Sequence, residues 1–418
     1  MNITLKNGQR SGVTSAPSSK SHAQRLLICA GLGASGVTLD CGDISKDIAA
    51  AASCVQTLCA DVTELHEGVL RVEPCAKPSK GVKTLHCGES GSTLRFLIPV
   101  CGALGESVVF KMEGRLSERP LSPLDEVLHE HGMTLERIGT ELHCSGKLTG
   151  GEFEIAGNVS SQFISGLLFA LPLLDTDSTL TVTGKLESSA YIAMTENALR
   201  QSGIEFAKND NVYAIPGNQR YRLNETCTVE GDLSNAAFFL CMGALSDNGV
   251  TVKNIPEHTS QGDKKIIDIL RSFGADVSVK GDSVAVKKGR LTACTVDAAE
   301  IPDLVPVVSV VAAAAEGDTH IINAARVRLK ESDRLMTTAT LLCGLGASVE
   351  ELPDGLIVHG GRPLHGGTID SFNDHRIAMS AAVAACICTG PVTVTGCECV
   401  NKSFPRFWEK FNGLECGQ

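Results

Sequence analysis

The chain has 418 residues, of which 43% are hydrophobic, 20% charged and only 4% aromatic. That length passes the roughly 250–300 residues at which a single core stops growing, so two domains of about 200 residues are expected in a chain of globular composition. A formal charge of −11 and few aromatic rings argue against nucleic acid or an anionic membrane as the main partner, while a small anionic ligand, which senses only its own cleft, stays open.

In chain order, the N-terminal NITLKNGQRSGVTS has strand character. An apolar helix-like segment then recurs six times, beginning near Ala23, Thr93, Gln162, Asn235, Asp303 and Arg376. Each is followed by a short β-rich piece: GVTLDCGD, SVVFKMEG, STLTVTGK, GVTVKNIP, DTHIINAA and PVTVTGCE. A second helix-like piece comes next, clearest in YIAMTENALRQSG, DKKIIDILRSFGA and SDRLMTTATLLCGLGA, where glycine suits a helix C-terminus. Two short strands around a turn complete the unit, as in DVSVKGDSVAV and SVEELPDGLIVHG. The sixth copy stops at FWEKFNGLECGQ without that hairpin, and the N-terminal strands have the character it lacks. Three units per domain then give one domain of residues 18–229 and another of 1–17 with 230–418. The chain would cross between them twice, near Ser18 and near Glu230. The alternative is one long α/β domain with accidental periodicity. The longest apolar run, Leu304 to Ala315, is about half of the ~20 residues a membrane span needs. The N-terminus lacks the apolar stretch of a signal peptide, so a cytoplasmic protein is expected.

Seventeen cysteines are scattered, many inside apolar stretches (Cys29, Cys54, Cys101, Cys241, Cys343), and read as small buried hydrophobes in the reduced state. The pairs Cys386/Cys388 and Cys397/Cys399 offer a metal clip as an alternative, although their spacing is shorter than metal sites usually show.

Polar motifs fall at two fixed phases of the repeat. One is the start of the first helix: SSKSHAQR, GESGSTLR, VSSQFISG, GDLSNAAF, IPDLVP and FNDHRIAM. The other is the start of the second: RLSERPL, ESSAYIA, SQGDKK, RLKESDRL and NKSFPRF. Ser, Thr, Asp and Asn there are good N-caps, and helix N-termini also favour anions. The set is richer in cations than capping needs: Lys20, Arg25, Arg95, Arg119, Lys330, Arg334, Arg376 and Lys402. Cations oppose the dipole at a helix N-terminus, so a cleft for phosphates and carboxylates explains them better than helix stability does. Lys330 and Arg334 are spaced to share a helix face, with Glu331 and Asp333 beside them, suited to proton transfer next to a bound anion or to a surface ion-pair cluster. Asp303, after a proline and before an apolar helix, is a candidate base or an N-cap. GLGASG fits GxGxxG by letter but follows a helix, and GESGST lacks the Gly-Lys-Ser/Thr of a P-loop. No HExxH, zinc-spaced CxxC pair or GxSxG is present.

Together SKSHAQR, GESGSTLR, SERP, SSQF, LKESDR, NDHR and NKSFP, in this order along nearly the whole chain, resemble the 5-enolpyruvylshikimate-3-phosphate synthase family of enolpyruvyl transferases. The resemblance implies an α/β fold of two similar domains, each of three βαβαββ repeats around a pseudo-threefold axis, with two interdomain crossovers. It implies an enzyme that needs no metal or cofactor, acting on two small molecules, and a monomer is expected because two domains can form the site alone. The enolpyruvyl group of phosphoenolpyruvate would move to the 5-hydroxyl of shikimate 3-phosphate, releasing phosphate, and domain closure would exclude water. By similarity, Lys20, Ser21, Arg25, Ser160, Ser161, Gln162, Ser188 and Tyr191 would hold shikimate 3-phosphate, with Arg326 on the same side. Lys20, Gly91, Arg119, Gln162, Arg334, Arg376 and Lys402 would hold phosphoenolpyruvate. Asp303 and Lys330 would contact the reacting hydroxyl. Asp303 would take its proton, Glu331 would handle the proton at the methylene carbon, Lys20 would assist the leaving phosphate, and His375 would orient Glu331.

The chain departs from the family pattern at Glu89 and Arg326, where asparagine is common, and at Ser92, where threonine is. A sister transferase acting on UDP-N-acetylglucosamine carries a reactive cysteine on the loop matching GRLSERPLSPL, and residues 114–123 contain none. A non-catalytic anion-binding protein would not need the full carboxylate and lysine set. An RNA-end-processing relative conflicts with the acidic balance.

Overall fold

The computed structural model describes residues 1–75 and 81–417. The chain divides into two compact units, residues 19–229 and residues 1–18 with 230–418. The described residues contain twelve α-helices. In the first unit these are α1 (Lys20–Gly31), α2 (Lys46–Leu58), α3 (Gly91–Leu104), α4 (Leu124–Glu130), α5 (Ser161–Ala170) and α6 (Ser189–Gln201). In the second they are α7 (Leu233–Ala244), α8 (Ile266–Phe273), α9 (Val305–Ala314), α10 (Arg334–Gly344), α11 (His375–Ala385) and α12 (Phe407–Gly413).

The odd-numbered helices form the two cores. Every residue of α7 and α11 is buried, as expected of segments apolar on all faces. In the first unit α3 crosses α5 closely, because a Cβ on Gly166 would stand 2.4 Å from the Arg95 carbonyl oxygen. Their starts are set by capping side chains. Ser19, Ser90, Ser160, Asp232 and Asp374 each accept a backbone N–H two or three residues on. These five helices therefore begin one to three residues before the positions that apolar periodicity suggests. The even-numbered helices are amphipathic: α8 buries Ile266, Ile267, Leu270 and Phe273 and ends at Gly274 in the left-handed region, φ +95°.

Six small mixed sheets repeat one topology. In a representative sheet, Glu152–Ala156 runs parallel to Ser178–Thr183 with α5 as crossover, and Ser178–Thr183 pairs antiparallel with Val212–Ile215 of the closing hairpin. The sheet built on Val392–Thr395 takes its third strand from the other end of the chain. Asn2–Leu5 pairs antiparallel with it, Ile3 opposite Val394. Arg10–Ser15 lies parallel to Val250–Lys253, Gly12 opposite Val250. Among the described residues no helix is long and apolar enough to cross a membrane. Cys386, Cys388, Cys397 and Cys399 are buried thiols, and burial pushes each of them up.

One local expectation is corrected. Lys330 and Arg334 do not share a helix face. Ala325–Leu329 is a 3₁₀ turn, residues 330–333 are irregular, and α10 begins only at Arg334 because Asp333 caps it, accepting from Met336 N at 3.2 Å. Similar 3₁₀ turns, Gly114–Glu118, Gly262–Lys265 and Cys397–Lys402, precede α4, α8 and α12. Arg119, Lys330 and Lys402 thus stand at the ends of 3₁₀ turns rather than on α-helices.

Candidate active site

In the first unit the polar residues gather at the N-termini of α1, α3, α5 and α6. Lys20 is the first residue of α1 and its Nζ lies 3.0 Å from Asp47 Oδ2, in the first turn of α2. Gln24, fully buried one turn on, donates to Ser90 Oγ at 2.9 Å and Thr93 Oγ1 at 3.1 Å and accepts from Ser92 Oγ at 2.6 Å. It therefore braces the glycine-rich loop at the start of α3. Gly91 lies against Arg119: a Cβ there would stand 2.8 Å from Arg119 Nη1. Only glycine lets that guanidinium settle onto the N-terminal turn of α3. Arg119 Nε is buried with no hydrogen-bond partner among the described residues.

Arg25 ties α1 to α6. Its Nε donates to Thr195 Oγ1 at 2.9 Å, Nη1 to the Ser21 carbonyl at 2.7 Å and Nη2 to the Tyr191 carbonyl at 2.8 Å. Burial pushes it down to about 10, which still leaves it charged at neutral pH. Ser160 caps α5, Ser161 is its first residue, and Gln162 Oε1 accepts from Arg95 Nη1 at 2.8 Å. Ser188 precedes α6 with φ +55°, an uncommon conformation for serine, and is buried. Two packed helices thus present serines at their N-termini, where the helix dipole suits an anion.

In the second unit the charged residues form one buried cluster around Arg334, which is 1% exposed. Its Nη1 donates to Asp303 Oδ1 at 2.6 Å, Nη2 to Glu331 Oε2 at 2.7 Å and Nε to Asp374 Oδ2 at 2.8 Å. Burial would lower its pKa, but Asp374, Glu331 and Asp303 together raise it, so it stays protonated. Asp303 also meets Lys330 Nζ at 3.4 Å and Arg376 Nη2 at 3.4 Å. Burial alone would raise Asp303, yet Lys330, Arg376 and Arg334 hold it well below the usual carboxylate range. Asp303 is no N-cap; α9 starts two residues later with no side-chain cap. Lys402 Nζ lies 3.9 Å from Glu331 Oε1. His375 is buried, its Nδ1 3.8 Å from Asp374 Oδ1. Arg326 is half-buried in its 3₁₀ turn, whereas Arg328 holds the turn by bonding Asp333, Glu351 and the Leu352 carbonyl.

Sequence reasoning missed Asp47, Gln24 and Asp374. The last caps α11 through Arg376 N at 2.9 Å while binding Arg334 and Ser332. Its only sequence signal is its place in NDHR.

The sequence profile of EPSP synthase (3-phosphoshikimate 1-carboxyvinyltransferase) matches residues 6–411. The 3-phosphoshikimate 1-carboxyvinyltransferase of Clostridium acetobutylicum is 43% identical over 95% of this chain and 94% of its own, and that of Clostridium novyi is 39% identical over 98% and 96%. Among solved structures, EPSP synthase from Acinetobacter baumannii superposes over the full length of both chains with a TM-score of 0.81 at 24% identity. The enolpyruvyl transferase NikO from Streptomyces tendae does so over 99% of this chain and 98% of its own, with a TM-score of 0.79 at 16% identity. The structural likeness establishes the fold, the mixed α/β architecture of these transferases. The chain belongs to the EPSP synthase family. Membership over nearly its whole length makes it a transferase of the shikimate pathway.

Proposed function

We propose that the chain transfers the enolpyruvyl group of phosphoenolpyruvate to the 5-hydroxyl of shikimate 3-phosphate, releasing phosphate, with the residues above in the following roles. Ser160, Ser161, Gln162, Ser188 and Tyr191, with Lys20, Ser21, Arg25 and Arg326, hold shikimate 3-phosphate. Lys20, Gly91, Arg119, Gln162, Arg334, Arg376 and Lys402 hold phosphoenolpyruvate. The observation that carries the reading is the Arg334 cluster, where two carboxylates of different surroundings, Asp303 and Glu331, share one cation.

The chemistry needs both carboxylates. The acceptor oxygen attacks C2 of phosphoenolpyruvate as its proton passes to Asp303, and Glu331 delivers a proton to the methylene carbon. In the second half Glu331 takes a proton back from that carbon, the C–O bond to phosphate breaks, and Lys20 protonates the departing phosphate. Asp303 is a poor base while three cations hold its pKa down. Substrate carboxylate and phosphate compete for Lys330, Arg334 and Arg376, which releases Asp303 to accept a proton. His375, whose Nδ1 lies 3.8 Å from Asp374 Oδ1, orients Glu331 through the Asp374–Arg334 pair. The protein acts in the cytoplasm as a monomer, and sedimentation at twice the mass of one chain refutes the second point.

The deciding experiment measures phosphate release from phosphoenolpyruvate with shikimate 3-phosphate or UDP-N-acetylglucosamine as acceptor. Release only with shikimate 3-phosphate supports the reading. Release only with the nucleotide sugar, or with neither, overturns it.

A further inference from the structure

The turn Gly262–Lys265 before α8 holds a carboxylate that the roles above leave unused. Gln261 fixes this turn: its Oε1 accepts from Leu233 N at 3.0 Å, and its Nε2 donates to the Gly231 carbonyl at 2.8 Å and Glu230 Oε1 at 2.7 Å. The turn is thereby held against the first turn of α7, whose Ser234 carbonyl accepts from Arg376 Nη1 at 2.9 Å. Asp263 is 4% exposed, and its Oδ1 has no hydrogen-bond partner among the described residues. The groups that act on it most strongly are Asp303 from the turn before α9, Arg376 from α11, and Ser234 and Asp232 from the start of α7. Arg376 Nε is likewise buried without a hydrogen-bond partner among the described residues.

A buried carboxylate beside a second carboxylate disfavours its own charge. Burial and Asp303 push Asp263 up to about 7, Arg376 and the Ser234 hydroxyl oppose this, and Asp232 adds to it. Arg376 is the cation that most favours ionised Asp263, and it is the cation assigned above to phosphoenolpyruvate. An anion on Arg376 removes that support and adds negative charge nearby.

We propose that Asp263 takes up a proton when an anionic substrate occupies Arg376, and that its neutralisation is what admits the anion. This positioning role rests on the reading of Arg376 as a phosphoenolpyruvate ligand. Asp263 touches neither substrate; it sets whether Arg376 faces a second uncompensated negative charge.

The test is the Michaelis constant for phosphoenolpyruvate from pH 6 to 8 in wild type and Asp263→Asn, a neutral isostere. The ratio of wild-type to variant KM is expected near one at pH 6 and about tenfold at pH 8, one decade per unit above the titration midpoint. Taking the ratio cancels ionisation of the substrate itself. A ratio that stays constant with pH overturns the proposal while leaving the transferase reading intact; absence of wild-type turnover speaks against that reading instead. Calorimetry on wild type needs neither turnover nor a folded variant. Sulfate, which does not titrate near neutrality, is added at pH 7.5 in two buffers of different ionisation enthalpy. Net proton uptake is expected, and sulfate binding without uptake, or no sulfate binding, overturns the proposal.

Discussion

Asp374→Ala tests the physical account of the charged cluster most directly. The carboxylate is fully buried and serves Arg334 Nε at 2.8 Å, Ser332 Oγ at 2.9 Å and Arg376 N at 2.9 Å. Loss of the α11 cap costs about 1 kcal/mol. Orphaning a buried cation costs roughly 3–5 kcal/mol, but Arg334 retains Asp303 and Glu331, so about 2 kcal/mol is the share expected for losing one carboxylate of three. Ser332 retains Thr337 Oγ1 at 3.1 Å, so its hydroxyl adds little. The whole is about 3 kcal/mol, or a fall in Tm of roughly 10 °C for a unit of this size. The single tryptophan, Trp408, lies in α12 of the same unit and bonds the Cys397 carbonyl at 3.1 Å, so urea unfolding followed by its fluorescence reports this unit. Asp374→Asn keeps the capping oxygen and loses only the charge, so it should cost about half as much. An alanine variant within 1 kcal/mol of wild type, or an asparagine variant as unstable as alanine, refutes the reasoning.

Asp303→Asn and Glu331→Gln should each lower kcat by roughly 10²–10⁴ in the phosphate-release assay while leaving substrate binding measurable, and near-full turnover in either removes that residue from the chemistry. Gly91→Ala should raise KM for phosphoenolpyruvate roughly tenfold with Tm almost unchanged, because its Cβ meets the movable end of Arg119 rather than backbone; an unaltered KM means Arg119 does not work from that position. Stability should depend on pH through Asp263 with a definite sign. Its folded pKa is raised from 3.8 to about 7, so the folded chain holds the extra proton between these values and wild type loses stability as pH rises through that window. Asp263→Asn should therefore be more stable than wild type above pH 7 and similar to it below pH 4, and a gap that does not change with pH in urea titrations contradicts this.

The repeated α/β architecture is legible in the sequence because α7 and α11 are apolar on every face and the flanking strands alternate. The approach to α10 is not. Four-residue spacing between Lys330 and Arg334 looks helical on paper, but Asp333 is the cap, and a cap and a helix-interior aspartate are the same letter. Partners are harder still. Asp47 in the first turn of α2 is fully explained by the helix dipole, and its ion pair with Lys20 spans 27 residues that local spacing cannot bridge. Asp374 is hidden in a similar way, since capping α11 already accounts for an aspartate there. Gln24 carries no motif signal, because a buried amide inside an apolar helix reads only as a polar interruption until Ser90, Ser92 and Thr93 are seen to bond it.

The second unit collects Lys330, Arg334, Arg376 and Lys402 without leaving them to repel one another. Asp303, Glu331 and Asp374 are threaded between them, so the cluster is close to neutral within itself. Such burial is tolerable only while each charge keeps a partner. That arrangement has a chemical consequence for the proposed roles. In those roles the cations assigned to substrate are the same ones that hold Asp303 well below the usual carboxylate range, so binding energy and basicity would be coupled through single ion pairs. Phosphoenolpyruvate that draws Arg334 and Arg376 toward itself raises the proton affinity of Asp303 at the moment an acceptor hydroxyl can use it. A water molecule arriving before the anion meets a carboxylate that cannot take its proton.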